Sequence, residues 1–165
     1  IAIILLIPVI IILMKKQNTI KEELLGVITK SLQSSKVPKI NVNDAVQNEA
    51  SYIFLDSREK TEYQVSHIKN SIFVGDADFN LNKIRRIPKD ANIIVYCSVG
   101  IRSDKIAKEI IDAGYIHVHN LFGGIFEWIN KGNPVFNSNE NQTDSVHGYS
   151  KFWGTFVRSD HKVYK

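Results

Sequence analysis

The sequence opens on fourteen residues without a polar side chain, Ile-Ala-Ile-Ile-Leu-Leu-Ile-Pro-Val-Ile-Ile-Ile-Leu-Met, and the run stops abruptly at Lys15 and Lys16. Such a run belongs in a membrane, so residues 1–16 are expected to form a membrane helix. As a helix the run would reach about 21 Å, short of a hydrocarbon core of about 30 Å, which points to further apolar residues upstream. No small-residue cleavage motif follows Met14. That favours a single uncleaved anchor over a removed signal peptide, which would instead leave a secreted or periplasmic protein. Lys15, Lys16 and Lys21 favour a cytoplasmic domain, but unseen basic residues upstream could reverse this, and the side of the membrane stays open.

Beyond the run, Ile20, Leu24, Val27, Ile28 and Leu32 recur at helical spacing between Lys21, Glu22, Glu23 and Lys30. This predicts an amphipathic connecting helix whose apolar stripe docks on the globular domain, with the membrane interface as the alternative. Ser31, Ser34, Ser35 and Pro38 then mark a linker. Residues 17–38 therefore join the membrane segment to a folded domain that begins at Lys39.

From there the pattern alternates. Ile53 to Leu55, Ile72 to Val74, Ile93 to Tyr96 and His117 to His119 read as strands. Glu59 to Gln64, Leu81 to Arg86, Ser103 to Ala113 and the stretch through Phe126 and Ile129 read as helical pieces. The alternation predicts an α/β domain with a mostly parallel central sheet and helices on both faces. Its ligand site should lie beyond the carboxyl ends of the strands. The domain is expected over residues 39–136. Residues 137–165 form an extension, a polar linker followed by Tyr149, Phe152, Trp153 and Phe156 on a short helix. This tail is expected to pack back on the domain, with an unknown protein partner or a membrane surface as the alternative.

Length and composition suit one globular domain with extensions, at 165 residues, 44% hydrophobic and 23% charged. The net charge of +4 comes from lysines scattered along the chain instead of clustered with aromatics, which argues against nucleic acid. A single cysteine excludes an internal disulfide framework and any cysteine-rich metal site. His117 and His119 share one face of their strand, but two ligands without a nearby third favour packing over metal binding. No metal is expected.

The candidate chemistry sits in Ile-Ile-Val-Tyr-Cys-Ser-Val-Gly-Ile-Arg-Ser, residues 93 to 103, where Cys97 follows the apolar strand and precedes a helix. In that turn the amides of Ser98, Val99, Gly100, Ile101, Arg102 and Ser103 can converge on one spot. The helix's positive end lies behind them and Arg102 adds a full charge. A free cysteine near pKa 8.5 is only about 3% thiolate at neutral pH, and the thiolate is the nucleophile. Lowering a thiol's pKa by two units raises the thiolate fraction but lowers its nucleophilicity, for a net gain of only about threefold. The larger contribution must come from donors that bind an anionic substrate and the charge developing on its leaving group. Gly100 relieves a tight backbone and Arg102 needs an anionic partner, so Cys97 is more than a small apolar residue at a strand end.

Four segments, taken in order, resemble the rhodanese-like, or sulfurtransferase, family from Ile40 to Phe136. Phe54-Leu55-Asp56-Ser57-Arg58 is similar to the family's strand ending in aspartate and arginine. Glu62-Tyr63 with His67-Ile68 is similar to its acidic-aromatic and glycine-histidine-isoleucine motif. Cys97 to Ser103 matches its active loop, and Leu121 to Trp128, with Gly132 and Pro134-Val135, resembles its closing double-glycine and tryptophan signature. Two positions depart from the pattern: Ser66 stands where the glycine before histidine is usual, and Asn70 where a second glycine is common.

The resemblance implies that Cys97 takes the outer sulfur of thiosulfate or a similar small anionic donor, releases sulfite and holds a persulfide. A thiol or cyanide acceptor then removes the sulfur, with no metal or organic cofactor. Residues 98 to 103 would cradle the persulfide and Arg102 would attract the donor. Asp56, Arg58 and Glu62 would fix loops near the site through ion pairs. A phosphatase or arsenate reductase is the rival enzyme, but only four residues separate Cys97 from Arg102 and the phosphatase loop would require five. A persulfide relay or a non-catalytic module docking a membrane partner is the alternative from another class.

Overall fold

The computed structural model describes residues 2–33 and 36–164. Ser34 and Ser35 of the expected linker, and the side chains of residues 2–12 and 22, lie outside that description. Among the described residues no helix is long and apolar enough to cross a membrane, so the membrane helix expected over residues 1–16 finds no support. Most of the apolar run's side chains fall outside the described part.

A single helix α1, Ala2–Leu32, replaces the expected succession of membrane segment and separate amphipathic helix. The reason is local: residues 15 to 25 contain no glycine or proline, and Thr19 closes its hydroxyl on the Lys15 carbonyl at 3.0 Å within the helix. The docked face also differs from the expected stripe. Leu25, Thr29 and Gln33 are buried, with Ile28 half-buried beside them, while Ile20, Leu24, Val27 and Leu32 are exposed. Four-residue spacing puts Leu25, Thr29 and Gln33 on one face. That face meets a surface offering a polar partner, because Gln33 Nε2 donates to the Gly100 carbonyl at 2.9 Å. Val37 is buried as well, so packing extends upstream of Lys39.

The central sheet contains β1 (Lys39–Ile40), β2 (Ile53–Asp56), β3 (Ile72–Phe73), β4 (Asn92–Tyr96) and β5 (His117–Leu121), in the order β1-β5-β4-β2-β3. Every neighbouring pair is parallel, which demands crossovers that cover both faces. In β4, at the centre, Ile94 and Tyr96 face one core with Phe54, Phe126 and Trp128. Ile93 and Val95 face the other with Leu55, Val118, Ile106 and Ile110. Helix α4 (Ile101–Asp112) covers the second face. Helix α2 (Val42–Gln47), α5 (Gly124–Asn130) and the last turns of α1 cover the first. Between β2 and β3 lies α3 (Lys60–Val65). Each large apolar side chain so buried contributes roughly 1.5–3 kcal/mol, and together they fix the carboxyl end of β4, where Cys97 follows.

The two departures from the family pattern are both accommodated. Asn70 takes the left-handed conformation, φ 59°, which asparagine tolerates better than most residues. Ser66 is extended, at φ −164°, a conformation needing no glycine.

The extension folds onto the domain. Strand β6 (Val135–Phe136), at the end of the expected domain, pairs antiparallel with β7 (Gln142–Thr143), inside the stretch expected to be a linker. Strands β8 (Ser145–His147) and β9 (His161–Val163) form a parallel pair, with β8 beside α3. Between them the short helix of the aromatic tail appears as a 3-10 turn, Trp153–Phe156. Phe156 enters the first core, and its carbonyl accepts from Asn130 Nδ2 at 2.8 Å.

Candidate active site

Strand β4 ends at Tyr96 and delivers Cys97 into a loop that closes when α4 begins at Ile101. Gly100 makes the reversal, at φ 93°, and a Cβ there would lie 3.0 Å from the Leu121 carbonyl. Its amide donates to Cys97 Sγ at 3.1 Å. Cys97 itself is buried, only 1% exposed.

The loop's carbonyls are drawn to the other side. Ile125 and Phe126, in the first turn of α5, donate their amides to the carbonyls of Cys97 at 2.9 Å and Ser98 at 3.1 Å. The Gly100 carbonyl accepts from Asn120 Nδ2 at 2.8 Å as well as from Gln33. In a trans peptide the N–H points opposite to the carbonyl. The amides of Ser98, Val99 and Ile101 therefore point away from α5, Asn120 and Gln33, leaving the loop's donors for the space over Cys97. Close approach of α5 requires Gly124, at φ 57°, since a Cβ there would lie 2.3 Å from the Cys97 carbonyl oxygen.

Arg102 reaches back across the loop. Its Nη1 and Nη2 donate to the two Glu62 carboxylate oxygens at 2.8 and 2.9 Å, and Nη2 also donates to Ser98 Oγ at 2.9 Å. Ser98 Oγ in turn donates to Glu62 Oε1 at 2.8 Å. Asp76 Oδ2 lies 4.0 Å from Arg102 Nε, and the Tyr149 ring lies under the guanidinium, 4.6 Å from its carbon. Burial pushes the Glu62 carboxyl up, but the hydrogen bonds and charge of Arg102, helped by the charge of Arg58, hold it below the usual carboxylate range. Burial works against the Arg102 charge, yet Glu62 and the nearby Cys97 more than reverse this, and the guanidinium is held more firmly protonated than usual. The arginine expected to attract a donor is thus already engaged by carboxylates of the protein.

Asp56 and Arg58 form a fully buried pair, with Arg58 Nη2 2.6 Å from Asp56 Oδ2 and donating to the Ser66 carbonyl at 2.6 Å. They tie the end of β2 to the turn after α3, the helix that carries Glu62, and they touch neither Cys97 nor the space above it. Ser103 also turns away: its hydroxyl donates to Asn120 Oδ1 at 2.7 Å, beneath the loop.

A cavity of about 170 Å³ opens over the thiol, lined by Cys97, Ser98, Val99, Ile101, Arg102, Tyr149 and Trp153. Five of these seven belong to the expected loop; Tyr149 and Trp153 come from the extension. The sequence flagged both as aromatics that would dock, with nothing to say where. Gln33 and Asn120, which hold the Gly100 carbonyl, carried no local signal. Glu62 was legible as a loop-fixing residue, but its partner Arg102 lies forty positions away. Among the described residues no group of three or more His, Cys, Asp or Glu gathers that could hold a metal ion.

Residues 41–131 match the profile of the rhodanese-like domain family. A tRNA uridine(34) hydroxylase of Photorhabdus laumondii is 33% identical over 84 residues, which cover 48% of this chain and 24% of that protein. The chain thus spans about a quarter of that relative's length. A rhodanese-related protein from Thermoplasma volcanium superimposes with a TM-score of 0.51 at 29% identity, covering 59% of this chain and 96% of the other. A thiosulfate sulfurtransferase from Pseudomonas aeruginosa shares the fold, with a TM-score of 0.56 at 21% identity over 73% of this chain and 23% of its own.

Two substitutions test how the loop is held. Glu62→Gln is expected to lower stability by about 2 kcal/mol by leaving Arg102 without its charged partner. Because the folded pKa of Glu62 lies below its ordinary 4.5, the wild-type advantage should be full above that pH and fade as pH falls through the lower folded value. Denaturant melts of both proteins between pH 7 and pH 3 measure this, and a gap that stays constant with pH would contradict it. Gly124→Ala should destabilise the fold by about 2–4 kcal/mol, because the neighbouring atoms are backbone and the conformation is left-handed. A neutral result in the same melts would mean that α5 does not approach the loop as described.

Proposed function

The chain belongs to the rhodanese-like domain family, and we propose that it is a sulfurtransferase in which Cys97 carries a sulfane sulfur as a persulfide. The observation that carries the reading is the Gly100 amide on Cys97 Sγ at 3.1 Å, within a loop whose Cys97, Ser98 and Gly100 carbonyls are tied outward. Such a loop suits a sulfur anion that must be stabilised without a metal. In the first step the Cys97 thiolate attacks the outer sulfur of a donor such as thiosulfate. The S–S bond of the donor breaks, sulfite leaves with the bonding pair, and Cys97 holds the transferred sulfur with its negative charge. In the second step a thiol or cyanide attacks that terminal sulfur and returns the thiolate.

The loop's amides would stabilise the persulfide anion and Glu62 would keep Arg102 in place beside Ser98. The four-residue spacing between Cys97 and Arg102 supports this reading over phosphoryl chemistry, which would need a wider cradle. Membrane attachment through residues 1–16 is a second part of the proposal. It rests on the apolar run and on Leu13, Ile20, Leu24 and Val27, which remain exposed along one face of α1. Such a face is suited to lipid.

Incubation of the full chain with thiosulfate should add the mass of one sulfur, cyanide should remove it as thiocyanate, and Cys97→Ser should do neither. A folded wild-type protein that gains no sulfur from thiosulfate or from an organic persulfide would overturn the assignment. The full chain should also float with phospholipid vesicles while a Leu13→Glu Met14→Glu Ile20→Glu Leu24→Glu variant floats less. Equal recovery of wild type in the lipid-free fraction would contradict membrane attachment.

A further inference from the structure

The wall of the Cys97 cavity contributed by the C-terminal extension lies outside the residues that match the family, and it is built firmly. Tyr149 sits at φ 61°, a left-handed conformation that aromatic side chains rarely adopt, and is half exposed. The turn is fixed on both sides: the Tyr149 amide donates to His147 Nδ1 at 3.1 Å and the Ser150 amide to the Gly148 carbonyl at 2.7 Å. Gly148 and Gly154 pack so closely on Tyr164 that a Cβ at either would lie within 2.6 Å of its ring or hydroxyl. Trp153 packs in a three-ring cluster with Phe152 and Phe156, with ring centroids 5.2 and 6.0 Å away. An observed backbone outlier held at the mouth of a reactive site is a reason to look for a role in that site.

Two further features set the chemistry of what this mouth can take. The Arg102 guanidinium is engaged by Glu62, Ser98 and the Tyr149 face, with Asp76 4.0 Å from its remaining edge. Arg102 thus faces two carboxylates, so a dianion entering here meets a cation whose charge is largely offset, with the loop's neutral amides as the remaining donors. The cavity is about 170 Å³, below the roughly 300 Å³ at which drug-sized pockets begin. Val99, Ile101, Tyr149 and Trp153 give it an apolar rim.

We propose that Tyr149 and Trp153 make the site selective for a small organic sulfane donor of low charge, a thiosulfonate or an organic persulfide, over inorganic thiosulfate. The inference rests on the sulfur-transfer reading and names the substrate class for it. With a thiosulfonate, the Cys97 thiolate attacks the outer sulfur, the S–S bond breaks and a sulfinate leaves with the electron pair. One negative charge stays on the persulfide and one leaves on the sulfinate, matching the two that entered, and no outside oxidant is needed. The organic group of the donor lies against the Tyr149 and Trp153 rings.

The test compares kcat/KM for benzenethiosulfonate and for thiosulfate in the full chain, with cyanide as acceptor. Wild type should favour benzenethiosulfonate by at least about tenfold, the scale on which an apolar pocket discriminates. The ratio should fall about tenfold in Tyr149→Gly, which keeps the left-handed turn and removes the ring, and likewise in Trp153→Ala. Tyr149→Phe should restore it, since the face of the ring is what the donor meets. Reading a ratio cancels any common loss of folded protein, and thermal melts of each variant check the fold directly. A ratio near one in wild type, or a ratio unmoved by both ring removals, overturns this inference and leaves sulfur transfer standing. No persulfide from either donor overturns both.

Discussion

Two backbone hydrogen bonds, from the amides of Ile125 and Phe126 to the carbonyls of Cys97 and Ser98, are the constraint on which the rest of the site depends. A loop of six residues has as many carbonyls as amides, and it can present its donors to a sulfur anion only if the carbonyls are satisfied elsewhere. Helix α5 supplies that satisfaction from below, and Asn120 with Gln33 supplies it for Gly100. Gly124 is needed because the two backbones meet within the reach of a Cβ. The double glycine after β5 therefore belongs to the same device as the cysteine, although more than twenty residues separate them.

Charge is arranged around the loop with equal economy. Arg102 acts first as a fastening: it joins α4 to Glu62 on α3 and to Ser98 in the loop. Glu62 is buried and Arg102 partly exposed, so the pair ties three segments together at a desolvation cost that offsets much of its attraction. With Arg102 so engaged, the oriented amides are the donors left free over Cys97, and donors held in place in advance need not reorganise when charge develops. Asp56 and Arg58 do the same work one layer out, tying the end of β2 to the turn that follows Glu62.

Much of this could be read from the sequence. The apolar run of β4, the cysteine after it, Gly100 and Arg102 stand close together, so their meaning survives without knowledge of the fold. The alternation of strands and helices was legible because each element has its own period. Residues whose roles are fixed by tertiary contacts were harder to read. The docked face of α1 carries Thr29 and Gln33, whose polarity hid it, while the more apolar stripe of Ile20, Leu24 and Val27 stays outside. Tyr149 and Trp153 were visible as aromatics in need of a surface, yet their surface is the mouth of the site itself. The strands β6 and β7 are two residues long, too short for any periodicity to register.

In the proposed chemistry the loop's inward amides hold a sulfur on Cys97. A crystal structure of the full chain after exposure to a sulfane donor tests it most directly. One added sulfur is expected on Cys97 Sγ, within hydrogen-bond distance of amides of residues 98 to 101, with the carbonyls of Cys97 and Ser98 still bound to α5. An unmodified thiol in an intact loop, or an added sulfur directed away from those amides, would contradict it.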